Sequence, residues 1–219
     1  MTTTGPPSAD PRPLVAGAVH ATRGPCAWAV VALWDPAVRR LLCHAIAREN
    51  LPVPYRPGRL AYAVAPAITA ALLRLPHDAS PDALLVHGHG LAHPRRFGLA
   101  CYLGRLHRLP AVGVAEKLLV GEHAPVPAQR GLWAPVLYEG DVVGAALRTR
   151  AEAKVLYVSP GWGCTVEEAV ALALAATGPY RWPEPLRQAR MRLRPALRRR
   201  LELHTPRRQA KMGPADSLL

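Results

Sequence analysis

Three apolar-rich runs open the patterned part of the chain, Leu14–Ala21, Ala27–Trp34 and Arg39–Ala47. The breaks between them, Thr22-Arg23-Gly24-Pro25 and Asp35-Pro36, are turn chemistry, and runs so punctuated predict an antiparallel meander. Pro52-Val53-Pro54-Tyr55-Arg56-Pro57-Gly58 then forbids regular structure by its prolines, and Ala61–Leu75 has helical composition with Pro66 suited to a first turn. Asp82–Val86 reads as a short buried strand that stops at Gly88-His89-Gly90. A helix over Arg96–Arg108 and a buried strand over Ala111–Ala115 complete a β-α-β unit, which implies a parallel pair. Trp133–Tyr138 and Val142–Arg148 flank Glu139-Gly140-Asp141 as a hairpin, and Val155–Val158 adds a strand before Ser159-Pro160-Gly161. Thr165-Val166-Glu167-Glu168 is a capping box that opens a helix to Thr177.

A meander first and a crossover second is a mixed α/β order rather than a doubly wound one. At 219 residues the chain accommodates one such domain. The expected organisation is a disordered leader over 1–13, a single domain over 14–193, and a basic, disordered tail over 194–219 whose helical start frays after Pro195. No window holds eighteen uninterrupted apolar residues, and Met1–Pro13 lacks the basic opening and apolar stretch of a secretory signal. The expectation is therefore a cytoplasmic protein without a membrane partner. Cys26, Cys43, Cys101 and Cys164 form no Cys-x-x-Cys pair, which argues against a zinc knuckle or a disulfide framework.

A formal net charge of +13 and a pI of about 10.6 change the picture, because they point to a polyanionic partner, nucleic acid first. Arg187, Arg190, Arg192, Arg194, Arg198, Arg199, Arg200, Arg207, Arg208 and Lys211 are opposed between them only by Glu202. The competing reading is a compositional arginine bias with no specific partner. No Ser-His-Asp order, P-loop or dinucleotide fingerprint offers another chemistry.

Four collinear motifs carry a family resemblance between Leu14 and Met191: Val15-Ala16-Gly17, Pro54-Tyr55-Arg56-Pro57-Gly58-Arg59-Leu60-Ala61, the block from His87 to Ala100, and Tyr157-Val158-Ser159-Pro160-Gly161 followed by Pro183-Glu184-Pro185. Together they resemble endonuclease V, a family that cuts nucleic acid near deaminated bases with a divalent metal held by carboxylates on a ribonuclease H-like sheet. The resemblance implies that fold here, a mixed sheet flanked by helices, and makes Pro54, Tyr55, Arg56, Pro57 and Gly58 the strand-prying wedge. An aromatic on a proline-stiffened loop can replace stacking lost on base extrusion. His93 matches the histidine of the family's His-Pro-Arg motif. Arg95 and Arg96 are expected in the first helical turn, where they could hold a phosphate. Gly88, Gly90 and Gly161 would allow close backbone approach to a flipped base. Lys117 offers a nearby cation.

The same resemblance marks departures. The family's first-strand aspartate aligns with Val19, its glutamate nine residues after the wedge tyrosine with Val64, and its third metal carboxylate with His87. Its lysine aligns with Glu116, and its late aspartate or histidine falls near Arg190. Magnesium prefers carboxylate oxygen to imidazole. The expectation is thus a nucleic-acid binder, of DNA or RNA that includes inosine-containing strands, with cleavage lost and no catalytic or metal-ligating residues assigned. No cofactor is expected. One alternative is an active nuclease using magnesium or manganese; another is a non-catalytic protein-interaction module. A softer metal gathered by His20, His87, His89 and His93 is a further possibility, and no oligomeric state is assigned.

Overall fold

The computed structural model describes residues 13–51 and 60–204, with side chains up to Arg198. Gly24, at φ +54°, turns strand β1 (Val15–Arg23) directly into β2 (Cys26–Asp35), and Asp35 caps the next turn by accepting from the Ala37 amide at 2.8 Å before β3 (Arg40–Asn50). The meander is antiparallel, and the outer strand β3 shows the exposed and covered alternation of a sheet edge. Helix α1 (Leu60–Leu72) leads to β4 (Ala83–His87), which pairs parallel to β1. Helix α2 (Leu99–His107) then returns the chain to β5 (Ala111–Ala115), parallel to β4. Strands β6 (Trp133–Tyr138) and β7 (Asp141–Leu147) form a hairpin whose turn residues Glu139 and Gly140 both have positive φ, the geometry that matches strand twist. Strand β8 (Leu156–Trp162) bridges β5 and β7, and helices α3 (Val166–Ala175) and α4 (Glu184–His204) follow.

These strands make one mixed sheet in the order β3-β2-β1-β4-β5-β8-β7-β6. Helices α1 and α2 pack on one face through Ile68, Leu84, Val86 and Leu103, while α3 and α4 cover the other through Leu85, Val112, Leu186 and Leu193. This is the single mixed α/β domain expected from the chain's order of elements. The Thr165 capping box is also present, with the Glu168 amide donating to Thr165 Oγ1 at 3.2 Å and the Thr165 amide to Glu168 Oε2 at 2.8 Å. Among the described residues no helix is long and apolar enough to cross a membrane.

Two expectations need correction. Helix α2 starts at Leu99 and not at Arg96, because Arg96 takes a left-handed φ of +49° and Gly98 is extended. Arg95 and Arg96 therefore lie in a turn before the helix. Helix α4 continues through Pro195 to His204, so the boundary expected at 193/194 falls inside a helix. Residues 1–12 of the expected leader, the wedge residues Pro54, Tyr55, Arg56, Pro57 and Gly58, and the chain after His204 lie outside the described residues.

Helix α4 approaches β1 very closely at Gly17, where a Cβ would overlap the Pro185 carbonyl and meet the Leu186 nitrogen at 2.5 Å. Backbone cannot yield as a flexible side chain can. Gly17→Ala should therefore destabilise the protein by about 1–3 kcal/mol, the usual cost of overpacking. Urea unfolding checks this, and an unchanged midpoint would show that α4 is not seated on the strand.

Candidate functional site

Parallel pairing brings three strand ends together. Ala18, Val86 and Gly113 stand in register across β1, β4 and β5, so Val19 and His20, His87 and Gly88, and Ala115 and Glu116 all emerge at the same sheet edge. His20 donates from Nε2 to the His87 carbonyl at 3.2 Å, and the two rings lie 6.1 Å apart. The other side of His87 meets Trp182 edge-on at 5.4 Å. Trp182 sits in the segment that leads into α4.

Glu116 is the hub of the charges here. Its Oε1 accepts from Trp182 Nε1 at 3.2 Å and Arg190 Nη1 at 3.4 Å, and lies 3.8 Å from Arg181. The Arg190 guanidinium also stacks 4.4 Å over Trp182. Partial burial opposes ionisation of Glu116, but the Arg190 charge and hydrogen bond, with Trp182 and Arg181, outweigh it and hold the carboxyl below its usual range. Burial, then the Arg190 charge, lowers the His87 pKa, with Glu116 opposing. His20 is pushed down to about 4 by burial first and by His87 second, against its own hydrogen bond.

Beside this network a cavity of about 370 Å³ opens between α1 and the loop after β4. Gly88, His89 and His93 line it, with Tyr62, Phe97, Tyr102 and Leu119 supplying apolar and aromatic wall. Tyr62 and Tyr102 meet edge to face at 5.6 Å. Leu60, where the described chain resumes after residues 52–59, also lines the cavity. His89 is held near a pKa of about 4 by burial, His93 and His87, so it is neutral near pH 7. Its Nδ1 is buried and has no hydrogen-bond partner among the described residues. His93 is lowered by burial and by Arg95, and its Nδ1 accepts from the Arg95 amide at 3.2 Å.

The residues singled out in the sequence separate accordingly. Gly88, His89, His93 and Arg95 line the cavity, and Gly88, at φ +153°, would bring a Cβ into ordinary contact with Leu99 at 3.7 Å. Gly90 and Gly161 are turned toward the chain's own backbone, at Pro160 and Ala100. Arg96 points away to the hairpin, 3.0 Å from Asp141 and 3.5 Å from Glu139, and donates to the Tyr138 carbonyl at 2.9 Å. Lys117 is exposed just beyond β5. Sequence reasoning missed Trp182, Arg181 and the aromatics Tyr62, Phe97 and Tyr102. The interleaving Tyr180-Arg181-Trp182 ahead of the arginine-rich helix was the available signal for the first two.

The donor set does not fit a hard divalent cation. Val19 and Val64 are buried, in the clusters on opposite faces of the sheet, and His87 and His20 are neutral imidazoles. The remaining carboxylate is committed to Arg190, Trp182 and Arg181. Among the described residues no group of three or more His, Cys, Asp or Glu side chains is arranged to hold a metal. Two guanidiniums against one carboxylate leave the site positive, and guanidinium donors are suited to phosphate oxygens.

Comparison with known proteins adds three findings. A family profile described as Endonuclease V matches residues 7–191. The chain is 45% identical over 161 residues to the Endonuclease V of Roseiflexus castenholzii, covering 74% of this chain and 71% of that protein. Its fold superposes on the crystal structure of the Endonuclease V of Streptomyces avermitilis with a TM-score of 0.82 and 37% identity, over 87% and 85% of the two chains. A more distant likeness in fold, at 20% identity and a TM-score of 0.73 over 85% and 87% of the chains, is to the Ciona intestinalis Endonuclease V in complex with a 24-mer DNA containing an inosine followed by a ribo-adenosine.

The buried imidazoles make stability depend on pH. His20 and His89 have folded-state pKa values of about 4 against an ordinary 6.5, so between these values the unfolded chain binds more protons. Their contribution is complete above pH ~6.5 and is lost as pH falls toward ~4, by about 1–3 kcal/mol. His20→Gln should flatten this decline in thermal unfolding midpoints taken from pH 7 to 4.5; an undiminished slope would exclude His20 as its source.

Proposed function

The chain belongs to the endonuclease V family, and on that premise we propose that it binds nucleic acid at the β4 edge without efficiently cutting it. The observation that carries this reading is the Glu116–Arg190 pair, closed over by Trp182, at the position aligned with the family's lysine and near that of its late aspartate or histidine. Hydrolysis by a hard cation needs oxygen ligands that position it, activate water and neutralise the leaving oxygen. With Val19, Val64 and His87 at the three carboxylate positions, this chain supplies none of them. Metal charge contributes several kcal/mol to such a transition state and each ~1.4 kcal/mol is about a factor of ten in rate, so the expected loss spans many orders of magnitude.

Binding has better support. The cavity has the size of a ligand cleft, commonly ~300–1,000 Å³, with aromatic walls for a base and few polar groups to orient it. Arg190 can take a phosphate without a cation, since it retains donors beyond the one used on Glu116. Tyr55 immediately precedes the cavity in sequence and is read as the wedge, with Pro54, Arg56, Pro57 and Gly58 setting its loop. Gly88, His89, His93 and Arg95 would contact the extruded nucleotide, and Lys117 would meet the backbone. The Ciona relative bound to inosine-containing DNA supports a deaminated base as the natural occupant.

The test is a titration of inosine-containing and control strands, DNA and RNA, with magnesium, manganese or EDTA. Affinity should be unchanged by EDTA, and no cleavage should appear. Turnover that EDTA abolishes would restore the nuclease, and absence of binding even at low salt would favour a protein-interaction module. Tyr55→Ala should weaken binding to inosine or mismatch sites by about 1–3 kcal/mol, the scale of base stacking, and leave intact duplex nearly unaffected. Equal losses on both would remove lesion recognition.

A further inference from the structure

A second concavity of about 460 Å³ lies along α4, lined by Trp182, Arg187, Arg190, Met191 and Arg194; Trp182 meets His87 edge-on, and the next residue, Gly88, lines the β4 cavity. We propose that it is a second nucleotide subsite, which takes the segment of a single strand adjoining the nucleotide in the β4 cavity. The inference rests on the nucleic-acid reading and adds to it a place, a polarity of contact and a strand state.

The geometry follows from helix periodicity. Leu186, Ala189 and Leu193 are buried against the sheet, so Arg187, Arg190, Arg194 and Arg198 rise along the flank at intervals of three or four residues, one per turn of ~5.4 Å. Between Glu184 and His204 the helix holds seven arginines and two glutamates. Arg187 is anchored by the buried Glu184 at 2.8 Å and stacks 4.2 Å over Tyr180, while Arg190 stacks over Trp182. Arg194 and Arg198 are exposed and carry no ion pair among the described residues.

Charge alone would suit any polyanion, but this groove also has an apolar floor. Met191, 56% exposed, lines it beside Trp182, over which Arg190 stacks. Aromatic and thioether surface beneath a row of guanidiniums accepts unpaired bases and their phosphates together, the pattern of single-strand platforms. A duplex keeps its bases stacked inward and could use only the arginines. An acidic peptide likewise offers carboxylates but no planar faces for the floor.

The experiment measures fluorescence anisotropy of the full chain with a labelled single strand of about twelve nucleotides containing one inosine, and ligand-observed NMR with inosine monophosphate, which is too small to span both concavities. Arg194→Glu and Met191→Glu should each weaken the strand about tenfold and leave the mononucleotide unchanged, whereas Arg150→Glu, an equal charge change in the loop after β7, should alter strand binding less than about twofold. Circular dichroism confirms that the exposed substitutions leave the fold intact. If the wild type binds and both α4 variants bind as tightly, the subsite is overturned and the β4 reading stands. If the wild type binds no strand at low salt, both fall. Equal weakening by Arg150→Glu, or displacement by poly-glutamate as effective as by unlabelled strand, reduces the groove to general charge and overturns the subsite.

Discussion

The contact of α4 with β1 at Gly17 governs what the sheet edge can do. A glycine there lets the Pro185–Leu186 backbone lie on the strand, and the helix then runs over the sheet at a height fixed by that contact. Arg190, a little over one turn further, reaches Glu116 beyond the end of β5, and Trp182, just before the helix, reaches His87 at the end of β4. Three strand ends and one helix thus share a single charge network. A side chain at residue 17 would lift the helix and separate its arginines from the sheet edge.

Much of the chain's positive charge is structural. Arg148 donates to the carbonyls of Pro127 at 3.0 Å and Val126 at 2.6 Å, and also to that of Ala153, holding the long segment between β5 and β6 against the end of β7. Arg130 does the same for Thr149 and Thr177, and Arg181 for Lys154 and Val155. Such fixed forks satisfy carbonyls that regular structure would otherwise pair. A net charge of +13 is therefore a poor measure of ligand affinity here. Arg194 and Arg198, exposed and without an ion pair among the described residues, stand on one flank of α4, and their position says more than the net charge.

The legible parts of the fold were those fixed by local chemistry. Gly24-Pro25 and Glu139-Gly140 turn the chain wherever it sits, and Thr165 with Glu168 caps a helix irrespective of its neighbours. The meander, the parallel β4–β5 pair and the β6–β7 hairpin followed from run length and punctuation, whereas the β1–β4 and β5–β8 pairings that join them did not. What escaped depends on partners distant in sequence. Arg96 leaves the helix because Tyr138, Glu139 and Asp141 hold it from the hairpin, and no local pattern marks that pairing. Pro195 reads as a stop, yet α4 continues through it. The candidate site divides along the same line: the glycine-histidine loop after β4 was legible as a strand end, while Trp182 and the tyrosines of the cavity wall needed the fold to bring α1, α2 and the approach to α4 together.

The substitutions at the sheet edge support one another, which makes the departure from the family's pattern hard to reverse one residue at a time. At its present exposure the Glu116–Arg190 pair is worth only about 0.2–1 kcal/mol, so its main consequence is where charge sits rather than how stable the protein is. Val19 lies in an apolar cluster with Leu186 and Leu193, where an isolated carboxylate would be strongly disfavoured. Val64, on the buried side of α1, is equally enclosed on the opposite face of the sheet. Restoring any single carboxylate would add a poorly compensated charge without completing an oxygen cage, and the existing guanidiniums would compete with a cation for it. The proposed arginine-based contact to phosphate is thus consistent with the rest of the edge, where two valines are packed and one carboxylate is held by Arg190 and Trp182.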